Sequence, residues 1–592
     1  MSGMTASALT AESGAAQVPA PVLTPAPGRA RRWLILLPLV VSLGATVLAM
    51  RRTSTTFDEI VLIAGGARGF RTGHFDLAPD HPPLMQYVYG LPAYLSHPRY
   101  PPERGFWGSR TRYNYARAFF WSVGNDPERL AFRSRLMAAL LAGLLVLVTW
   151  AFARRACGDG PALLAGTLVA FLPDVLAHGG VAYNDVPMAL TYLSTLWAVD
   201  AAARRPTLAR GALAGLLAAL AIGVKYSAVL IAPAALLLMV AEAWHRRGEG
   251  AWARRLGLAV LAALAAMYVG LVLLYRGDFL LQGLQLGIRQ QVLHVDAVGG
   301  APNYFLGMRN PRGWWYFFPV AFLFKTSAAL HLLMLAAVLG FARVRLGGRR
   351  HEQPDLAHGA ERAEGVDRQG EPEPEATSSP APSGHLDRLL ASPLRLPVLG
   401  GLVFGTALLQ SHLDIGFRYA LPVLPLLCMV TAVGVVRVWR AVSRPLPRFV
   451  LAGLVAWYVA APLAVYPWFL SYVSEYGPGS DASYEVLGDS SIDWGQGLLA
   501  LRDFMRTEHI PSVYLSYFGS GQPEGYGIAY VPLGSFFPLR PLPMPVPRPK
   551  WVVVSATNLQ SAYFRADPFA HFRSSRPDRV LGGSLYLYRL HD

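Results

Sequence analysis

Two adjacent carboxylates stand just beyond the first long apolar run of the sequence, in the stretch Thr55-Thr56-Phe57-Asp58-Glu59. A carboxylate held near a membrane surface can take a proton from a hydroxyl group, and such general-base catalysis contributes ~10²–10⁴-fold to a rate. Taken alone, acidic residues in an outer loop are more often ordinary solvated surface than catalytic groups. Asp58 and Glu59 are therefore candidate catalytic residues. Whether they are catalytic or solvated acids depends on the elements that surround them.

The composition indicates what kind of protein positions these carboxylates. The 592-residue chain is 53% hydrophobic and 15% charged, whereas soluble globular domains carry about 25% charged residues. Its 53 basic and 37 acidic residues give a net charge of +16, but the arginines gather at the ends of apolar runs. This pattern is typical of a polytopic membrane protein and argues against nucleic-acid binding. Cys157 and Cys428 are far apart and indicate neither a disulfide framework nor a cysteine-ligated metal.

Eleven apolar runs are candidates for membrane-spanning helices. They cover residues 33–50, 136–153, 161–177, 186–203, 211–224, 228–244, 256–275, 314–339, 396–410, 419–436 and 449–468. With the N-terminus inside the cell, every inner loop is rich in arginine, as the positive-inside rule requires. An odd number of spans then places the C-terminus outside.

The predicted fold class is an α-helical polytopic membrane protein with a small C-terminal extracytoplasmic α/β domain. Residues 1–30 are rich in Ala, Pro, Ser and Thr and are expected to be a disordered tail, followed by a transmembrane domain over 31–468. Within that domain, residues 53–135 form the first outer loop, and residues 343–392 form a disordered cytoplasmic linker. Residues 469–592 are expected to form the α/β domain, with a helix-like run at 498–505 and strand-like runs at 513–518, 551–555 and 584–588.

A metal site is a second chemical alternative on the outer side. The predicted outer loops contain several histidines together with Asp58 and Asp80, and these are possible ligands of a divalent metal. The histidines are His74, His81, His178, His294 and His412. None of them has another histidine at the close spacing typical of metal sites, so we assign no metal ligand. A divalent metal stays open as a cofactor.

Short motifs spread along the chain resemble one known family. In chain order they are Asp58-Glu59 after the first span, His81-Pro82-Pro83-Leu84, Asn184-Asp185-Val186-Pro187, Gly223-Val224-Lys225-Tyr226, Gly313-Trp314-Trp315-Tyr316-Phe317-Phe318-Pro319 with Lys325-Thr326, Asp414-Ile415-Gly416-Phe417-Arg418-Tyr419 and Asp489-Ser490-Ser491-Ile492-Asp493-Trp494-Gly495-Gln496. Their types and order resemble the polyprenyl-phosphate-dependent glycosyltransferases of the GT-C superfamily, which include protein O-mannosyltransferases and the aminoarabinose transferase that acts on lipid A. The motifs run from about residue 57 to residue 496.

The resemblance implies a function. A sugar would move from a polyprenyl-phosphate carrier to an acceptor hydroxyl on the extracytoplasmic face, with inversion at the sugar carbon and Asp58 as general base. Glu59 would be a neighbour that tunes or orients Asp58, with a solvated acid as the equal alternative. The family subgroup implies a bacterial source, an inner-membrane location and undecaprenyl phosphate as carrier. The acceptor stays open between a protein, a lipid and a glycan.

The resemblance also assigns binding roles. Asp185 would bind the acceptor or hold Asp58, although capping the helix that begins near residue 186 explains it equally well. Arg418 would bind the carrier phosphate through its two-pronged guanidinium, with a role as interfacial anchor as the alternative. Lys225, in the short outer connection between two predicted spans, is a second candidate ligand of the phosphate. Lys325 lies inside an apolar run, so we expect it to face a cavity or to pair with a carboxylate, and carrier binding and a structural ion pair both stay open. His81 would contact the carrier phosphate or substrate.

Departures from the family pattern narrow the expected substrate. Phe417 stands where the family commonly has histidine, Asp414 where it has asparagine, and His81 where the lipid A branch has lysine. We therefore expect transfer of a hexose or pentose rather than of aminoarabinose to lipid A. Two other classes remain as alternatives: a transporter or flippase of polyprenyl-linked glycans, and a non-catalytic membrane assembly protein.

Overall fold

The computed structural model describes residues 29–103, 111–246, 248–299, 303–350, 390 and 392–590. The predicted N-terminal tail therefore lies outside the described residues except at 29 and 30. Of the predicted linker 343–392, the structure describes 343–350, 390 and 392, and residues 343–350 continue a helix rather than beginning a linker.

Helices build most of the structure up to residue 463. In chain order they are α1 (Leu36–Met50), α2 (Glu59–Thr72), α3 (Pro83–Tyr94), α4 (Thr111–Arg117), α5 (Pro127–Cys157), α6 (Asp159–Ala170), α7 (Pro173–His178), α8 (Asp185–Arg204), α9 (Leu208–Val224), α10 (Ile231–His245), α11 (Gly250–Leu274), α12 (Gln282–Gly299), α13 (Phe317–Lys325), α14 (Ala328–Arg350), α15 (Arg395–Leu409), α16 (Leu424–Ala441) and α17 (Pro445–Leu463). A short hairpin of β1 (Asn303–Phe305) and β2 (Met308–Asn310) follows α12.

Six described helical segments are long and apolar enough to cross a membrane, or seven if the bent pair α13 and α14 counts as one. They begin with Arg32–Met50 and include α5, α11, α16 and α17, while Tyr226–His245 adds a short turn to α10. Three further predicted spans correspond to the shorter apolar helices α6, α9 and α15. The predicted span over 314–339 is broken in the structure, since its two helices, α13 and α14, meet at an angle of 112°.

The break between α13 and α14 has a visible cause. Thr326 has an extended backbone, and Ser327 and Ala328 turn their polar groups toward Glu475 instead of continuing α13. The Glu475 carboxylate accepts hydrogen bonds from Ser327 Oγ (3.1 Å) and Ala328 N (2.9 Å). It thereby satisfies the first amide of α14, as a carboxylate at a helix N-terminus does.

The C-terminal region is the predicted α/β domain. It contains α18 (Leu498–Thr507), the short helices α19 (Ala556–Leu559) and α20 (Ala570–Arg573), and five strands: β3 (Val513–Ser516), β4 (Tyr530–Pro532), β5 (Trp551–Ser555), β6 (Arg579–Leu581) and β7 (Leu585–Arg589). The sheet order is β4-β3-β5-β7-β6, in which β3 is parallel to β4 and β5, and β7 is antiparallel to β5 and β6. The amphipathic α18 buries Leu498, Leu501 and Met505 in the same apolar cluster as strand residues.

This domain is joined to the helical part by backbone hydrogen bonds. Ser54 N donates to Gln496 O (3.1 Å) and Phe57 N donates to Trp494 O (2.9 Å), so the segment before α2 lies along residues 494–496. A second connection comes from Lys325 at the end of α13. The sheet domain is therefore anchored where the predicted catalytic loop begins.

Candidate active site

One cavity of about 420 Å³ collects most of the polar residues that the sequence singles out. It lies where the loops before α2, α3 and α8 meet α4, α15 and the turn Phe417–Ala420. Its ionisable lining residues, apart from tyrosines, are Asp58, Asp80, His81, Arg112, Asp185, Lys225 and Arg418. Five predicted site residues are thus brought together from positions 360 residues apart, while Glu59 and Lys325 lie elsewhere.

Asp58 sits at the start of α2 with its side chain in the cavity. Its Oδ1 accepts a hydrogen bond of 2.6 Å from the hydroxyl of Tyr113. Among the described residues, no cationic side chain lies within ion-pair distance of Asp58. The carboxylate is therefore oriented by a neutral donor and is not neutralised by a partner, as a base that must accept a proton requires.

Glu59 points away from the cavity and is fully buried. Arg135 holds it with two hydrogen bonds, from Nη2 to Oε1 (2.5 Å) and from Nε to Oε2 (3.0 Å). The same carboxylate accepts from the backbone amides of Thr56 (2.6 Å) and Ala182 (3.2 Å). The alternative of a solvated acid is wrong, because these contacts use both oxygens to fix the loop before α2.

Asp185 lies between two cations at the start of α8. Its Oδ1 accepts from Lys225 Nζ at 2.5 Å, and its Oδ2 accepts from Arg418 Nη1 at 3.2 Å. All three side chains line the cavity. The group of Lys225, Asp185 and Arg418, which we call the cation triad, carries a net charge of +1 from two cations and one carboxylate. No capping hydrogen bond from Asn184, the residue at the N-cap of α8, is observed.

The guanidinium of Arg418 is almost entirely enclosed. Its Nε donates to Ser490 Oγ (3.0 Å), and its central carbon lies 4.0 Å from the centre of the Trp494 indole. Arg418 is 3% exposed. The alternative of an interfacial anchor that snorkels to water is wrong, since a buried and fixed guanidinium has little access to water.

Arg112 and Asp80 form a second ion pair on the cavity wall. His81 Nε2 lies 4.0 Å from Asp80 Oδ2, and burial lowers the pKa of His81 below its ordinary value of 6.5. The ring is therefore neutral at pH 7. With three cations and three carboxylates the lining is formally neutral, but the positive excess sits on the cation triad and the negative charge on Asp58.

The sequence reasoning did not identify Arg112 and Tyr113. Both come from α4, more than fifty residues after Asp58, and nothing in the spacing links them to that carboxylate. One signal was available: arginine on an outer loop runs against the positive-inside bias. An arginine on the predicted outer loop is therefore a candidate site residue in the same way as the rare lysines.

Lys325 does not line the cavity. It is 0% exposed, and its ammonium donates to the carbonyl oxygens of Leu470 (2.9 Å), Tyr472 (3.0 Å) and Ser491 (2.8 Å). Neither expected environment is observed among the described residues, because backbone carbonyls take the place of a carboxylate. Three charge-assisted hydrogen bonds satisfy all three donors of the ammonium.

No metal site emerges from the described residues. Among them, no group of three or more His, Cys, Asp and Glu side chains is placed to hold a metal ion. His178 is buried 3.6 Å from Asp174, and His412 Nδ1 donates to the carbonyl oxygen of Arg312. The side chain of His294 lies outside the described residues, and His74 is exposed away from the cavity lining.

Comparison with known proteins gives one sequence match and several weak structural likenesses. No curated protein matches the chain. ArnT from Cupriavidus metallidurans bound to undecaprenyl phosphate is 13% identical to this chain, with a TM-score of 0.44. The match covers 94% of this chain and 98% of that chain. For ArnT in the apo state the identity is 14% and the TM-score 0.41, and the match covers 74% of this chain and 65% of that chain, slightly less than two thirds of it.

A third structure is the archaeal oligosaccharyltransferase AglB from Archaeoglobus fulgidus, in complex with an inhibitory peptide and a dolichol-phosphate. It has 14% identity and a TM-score of 0.38, and the match covers 77% of this chain and 58% of that chain. The sequence match is to a family described as dolichyl-phosphate-mannose-protein mannosyltransferase, over residues 113–274. That segment includes Tyr113, Asp185 and Lys225 of the cavity. It confirms, for this part of the chain, the resemblance to polyprenyl-phosphate-dependent glycosyltransferases that the motifs predict.

Proposed function

We propose that the protein is an integral membrane glycosyltransferase that moves a sugar from a polyprenyl-phosphate carrier to an acceptor hydroxyl. The observation that carries this proposal is the division of charge in one cavity, with an unneutralised carboxylate, Asp58, and a cation triad of net charge +1. The family match over 113–274 supports the same reaction class. A base and an anion site in one cavity are the two elements that this transfer needs.

In the proposed reaction, Asp58 takes the proton of the acceptor hydroxyl as that oxygen attacks the anomeric carbon. The bond from the anomeric carbon to the phosphate oxygen breaks, and its electron pair leaves with the polyprenyl phosphate. Attack opposite the leaving group inverts the configuration at that carbon. Tyr113 donates to Asp58 Oδ1, which leaves Oδ2 for the incoming proton.

The cation triad is the proposed site of the carrier phosphate. Arg418 and Lys225 both face the cavity, and Asp185 holds them in place without cancelling both charges. A fixed guanidinium suits phosphate oxygens, because its N–H groups form a planar fork. His81, neutral and next to Asp80, is placed to donate to or accept from a phosphate or sugar hydroxyl, depending on its tautomer.

Location and substrate follow the resemblance. We propose a multi-pass protein of the bacterial inner membrane, with the N-terminus in the cytoplasm and the C-terminal domain outside. The carrier is proposed to be undecaprenyl phosphate, and the sugar a hexose or pentose. The acceptor is a hydroxyl of a protein, lipid or glycan of the cell envelope.

The test is a transfer assay on purified protein in detergent. A panel of labelled polyprenyl-phosphate sugars is supplied, and release of free polyprenyl phosphate is followed for the wild type and Asp58→Asn. Asn keeps the size and can still accept from Tyr113, but it cannot take up a proton, so turnover should fall by a factor of about 10² or more while the carrier still binds. Asp76→Asn is the matched control, since Asp76 lies on the same predicted outer loop, outside the cavity lining, and its side chain is exposed although it pairs with Arg68.

The alternatives give different outcomes. A transporter or flippase would move labelled carrier across vesicles without releasing polyprenyl phosphate, and Asp58→Asn would release as little as the wild type. An assembly protein would do neither. Failure of every donor, with an added extract of envelope acceptors and with no binding of undecaprenyl phosphate, would overturn the proposal.

A further inference from the structure

The segment Asp493-Trp494-Gly495-Gln496, which we call the 493–496 box, belongs to the C-terminal domain but touches both halves of the proposed site. Its backbone lies along the loop that carries Asp58. Its indole ring lies under the guanidinium of Arg418. These two contacts are made by different parts of the box, so their effects can be separated.

The backbone contact controls the loop before α2. Trp494 O accepts from Phe57 N at 2.9 Å, Gln496 O accepts from Ser54 N at 3.1 Å, and Gly495 O accepts from Ser54 Oγ at 2.8 Å. Phe57 is the residue immediately before Asp58. A shift of the box would therefore shift the catalytic carboxylate.

The ring contact controls Arg418. The guanidinium carbon lies 4.0 Å from the centre of the indole ring, and both residues are at least 97% buried. The Tyr183 ring packs edge-on against the same indole, with ring centres 5.0 Å apart, and the guanidinium carbon of Arg418 lies 4.9 Å from the centre of the Tyr183 ring. A cation over a tryptophan face in a desolvated setting is held strongly.

The box itself is rigid. Gln496 Oε1 accepts from Trp494 N (2.7 Å) and Gln496 Nε2 donates to Ile492 O (2.8 Å). Asp493 Oδ2 accepts from Thr557 N (3.0 Å), which ties the box to the end of β5. A charge-assisted hydrogen bond is made next to the box, where the Lys325 ammonium donates to the carbonyl oxygen of Ser491 (2.8 Å).

We propose that the C-terminal domain is a positioning element of the active site, in which the ring of Trp494 sets Arg418 for the carrier phosphate and the backbone of the 493–496 box sets Asp58 for the acceptor. Trp494 is a positioning residue, since it acts through Arg418 and Phe57. This inference rests on the proposed function. It assigns the domain a part in the reaction and not only in recognising an acceptor.

Two substitutions separate the two contacts. Trp494→Leu removes the aromatic face but keeps the backbone, so KM for the polyprenyl-phosphate sugar should rise on the order of 10-fold while kcat stays near the wild-type value. Gly495→Ala acts on the backbone: Gly495 has φ +93°, and an added Cβ would lie 2.6 Å from the Tyr517 hydroxyl. It should lower kcat by a factor on the order of 100, because the base is displaced.

Controls distinguish positioning from loss of fold. Trp494→Phe keeps an aromatic face and should restore most of the affinity for carrier. Trp551→Leu removes a tryptophan of the same domain that packs against Phe504 at a ring distance of 5.7 Å, and should lower thermal stability without changing KM. Binding of undecaprenyl phosphate is measured in parallel, so that a variant without turnover can still be assessed.

The outcomes are distinct. A wild-type protein that neither transfers sugar nor binds undecaprenyl phosphate overturns the proposed function. An active wild type whose Trp494→Leu variant keeps the wild-type KM and carrier affinity overturns only this inference. The same holds if Trp494→Phe fails to bind carrier better than Trp494→Leu, or if Gly495→Ala, folded by its melting curve, keeps the wild-type kcat.

Discussion

Arg135 forms a two-point ion pair with Glu59 directly behind the loop of Asp58, and both side chains are at most 2% exposed. The guanidinium also donates to the carbonyl oxygens of Met50, Thr53 and Ser54. One arginine of α5 therefore fixes the end of α1, the loop and the start of α2. Because Glu59 directly follows Asp58, this ion pair also fixes the position of Asp58.

Breaking the pair should destabilise the protein. Arg135→Met leaves Glu59 buried without a cation, and loss of one partner of a buried ion pair typically costs about 3–5 kcal/mol. We expect a large drop in the melting temperature of the purified protein. Arg154→Met is the control, because the Arg154–Asp159 pair is about one quarter exposed and such pairs contribute about 0–1 kcal/mol. Equal melting temperatures for the two variants would contradict the assigned role.

Tyr113→Phe should slow the reaction without unfolding the protein. It removes a hydroxyl that donates to Asp58, and a hydrogen bond to a charged group is worth about 1.5–3 kcal/mol. We expect kcat to fall about 10- to 100-fold. Tyr100→Phe removes a weaker bond, of 3.3 Å to Ala67 O in the same loop, and should leave kcat unchanged. A Tyr113→Phe enzyme with wild-type kcat would remove Tyr113 from the site.

Lys225 and Lys325 should respond differently to replacement by methionine. Lys225→Met removes a cavity cation from the cation triad and should raise KM for the carrier by a factor of about 10 or more. Lys325→Met leaves three carbonyl groups without a donor and should mainly lower the melting temperature, with a smaller change in KM. A larger rise in KM for Lys325→Met than for Lys225→Met would show that Lys325, not Lys225, binds the phosphate.

Stability of the C-terminal domain should depend on pH. Burial raises the pKa of Asp489 to about 6 and that of Asp493 to about 7, from an ordinary 3.8. The folded domain therefore binds more protons than the unfolded chain, so this stabilisation is complete below pH 3.8 and is lost as the pH rises through about 7. The melting temperature should fall from pH 5 to pH 8, and Asp493→Asn should flatten that decline.

Asp567 provides the control for this pH dependence. Its hydrogen bond from Arg573 lowers its pKa to about 2, so its contribution is present above pH 3.8 and is lost only as the pH falls toward 2. Asp567→Asn should therefore leave the slope between pH 5 and pH 8 unchanged. A wild-type melting temperature that rises across this interval would contradict the assignment to Asp489 and Asp493.

Local pattern was enough to predict much of the architecture. The apolar runs correspond to helices, and the strand-like runs at 513–518, 551–555 and 584–588 overlap β3, β5 and β7. The alternation of apolar and polar residues and the length of apolar runs are encoded in short stretches of sequence. They therefore predict helices and strands without knowledge of distant contacts. The bend at Thr326 was not predicted, because it depends on Glu475, a residue about 150 positions away.

The candidate site was predictable only in part, because it also depends on contacts between residues that are distant in the sequence. Asp58, Asp185, Lys225 and Arg418 stand at the ends of apolar runs, where a single sequence marks them. Whether such a residue faces a cavity depends on which partners meet it in three dimensions. Glu59 meets Arg135 and Lys325 meets three carbonyls, and no local pattern distinguishes these buried anchors from cavity residues.

The formal neutrality of the cavity lining has a consequence for the turnover cycle. In the proposed reaction the donor is a phosphodiester with one negative charge, and the product is a phosphomonoester that can carry two. Asp58 loses its charge when it takes the proton of the acceptor, so the total charge of the cavity contents is the same before and after transfer. Negative charge is only relocated, from the carboxylate to the cation triad. If the protein works in this way, the chemical step needs no counterion from outside the cavity, and the doubly charged carrier should bind the cation triad more tightly than the donor does until Asp58 returns its proton to water.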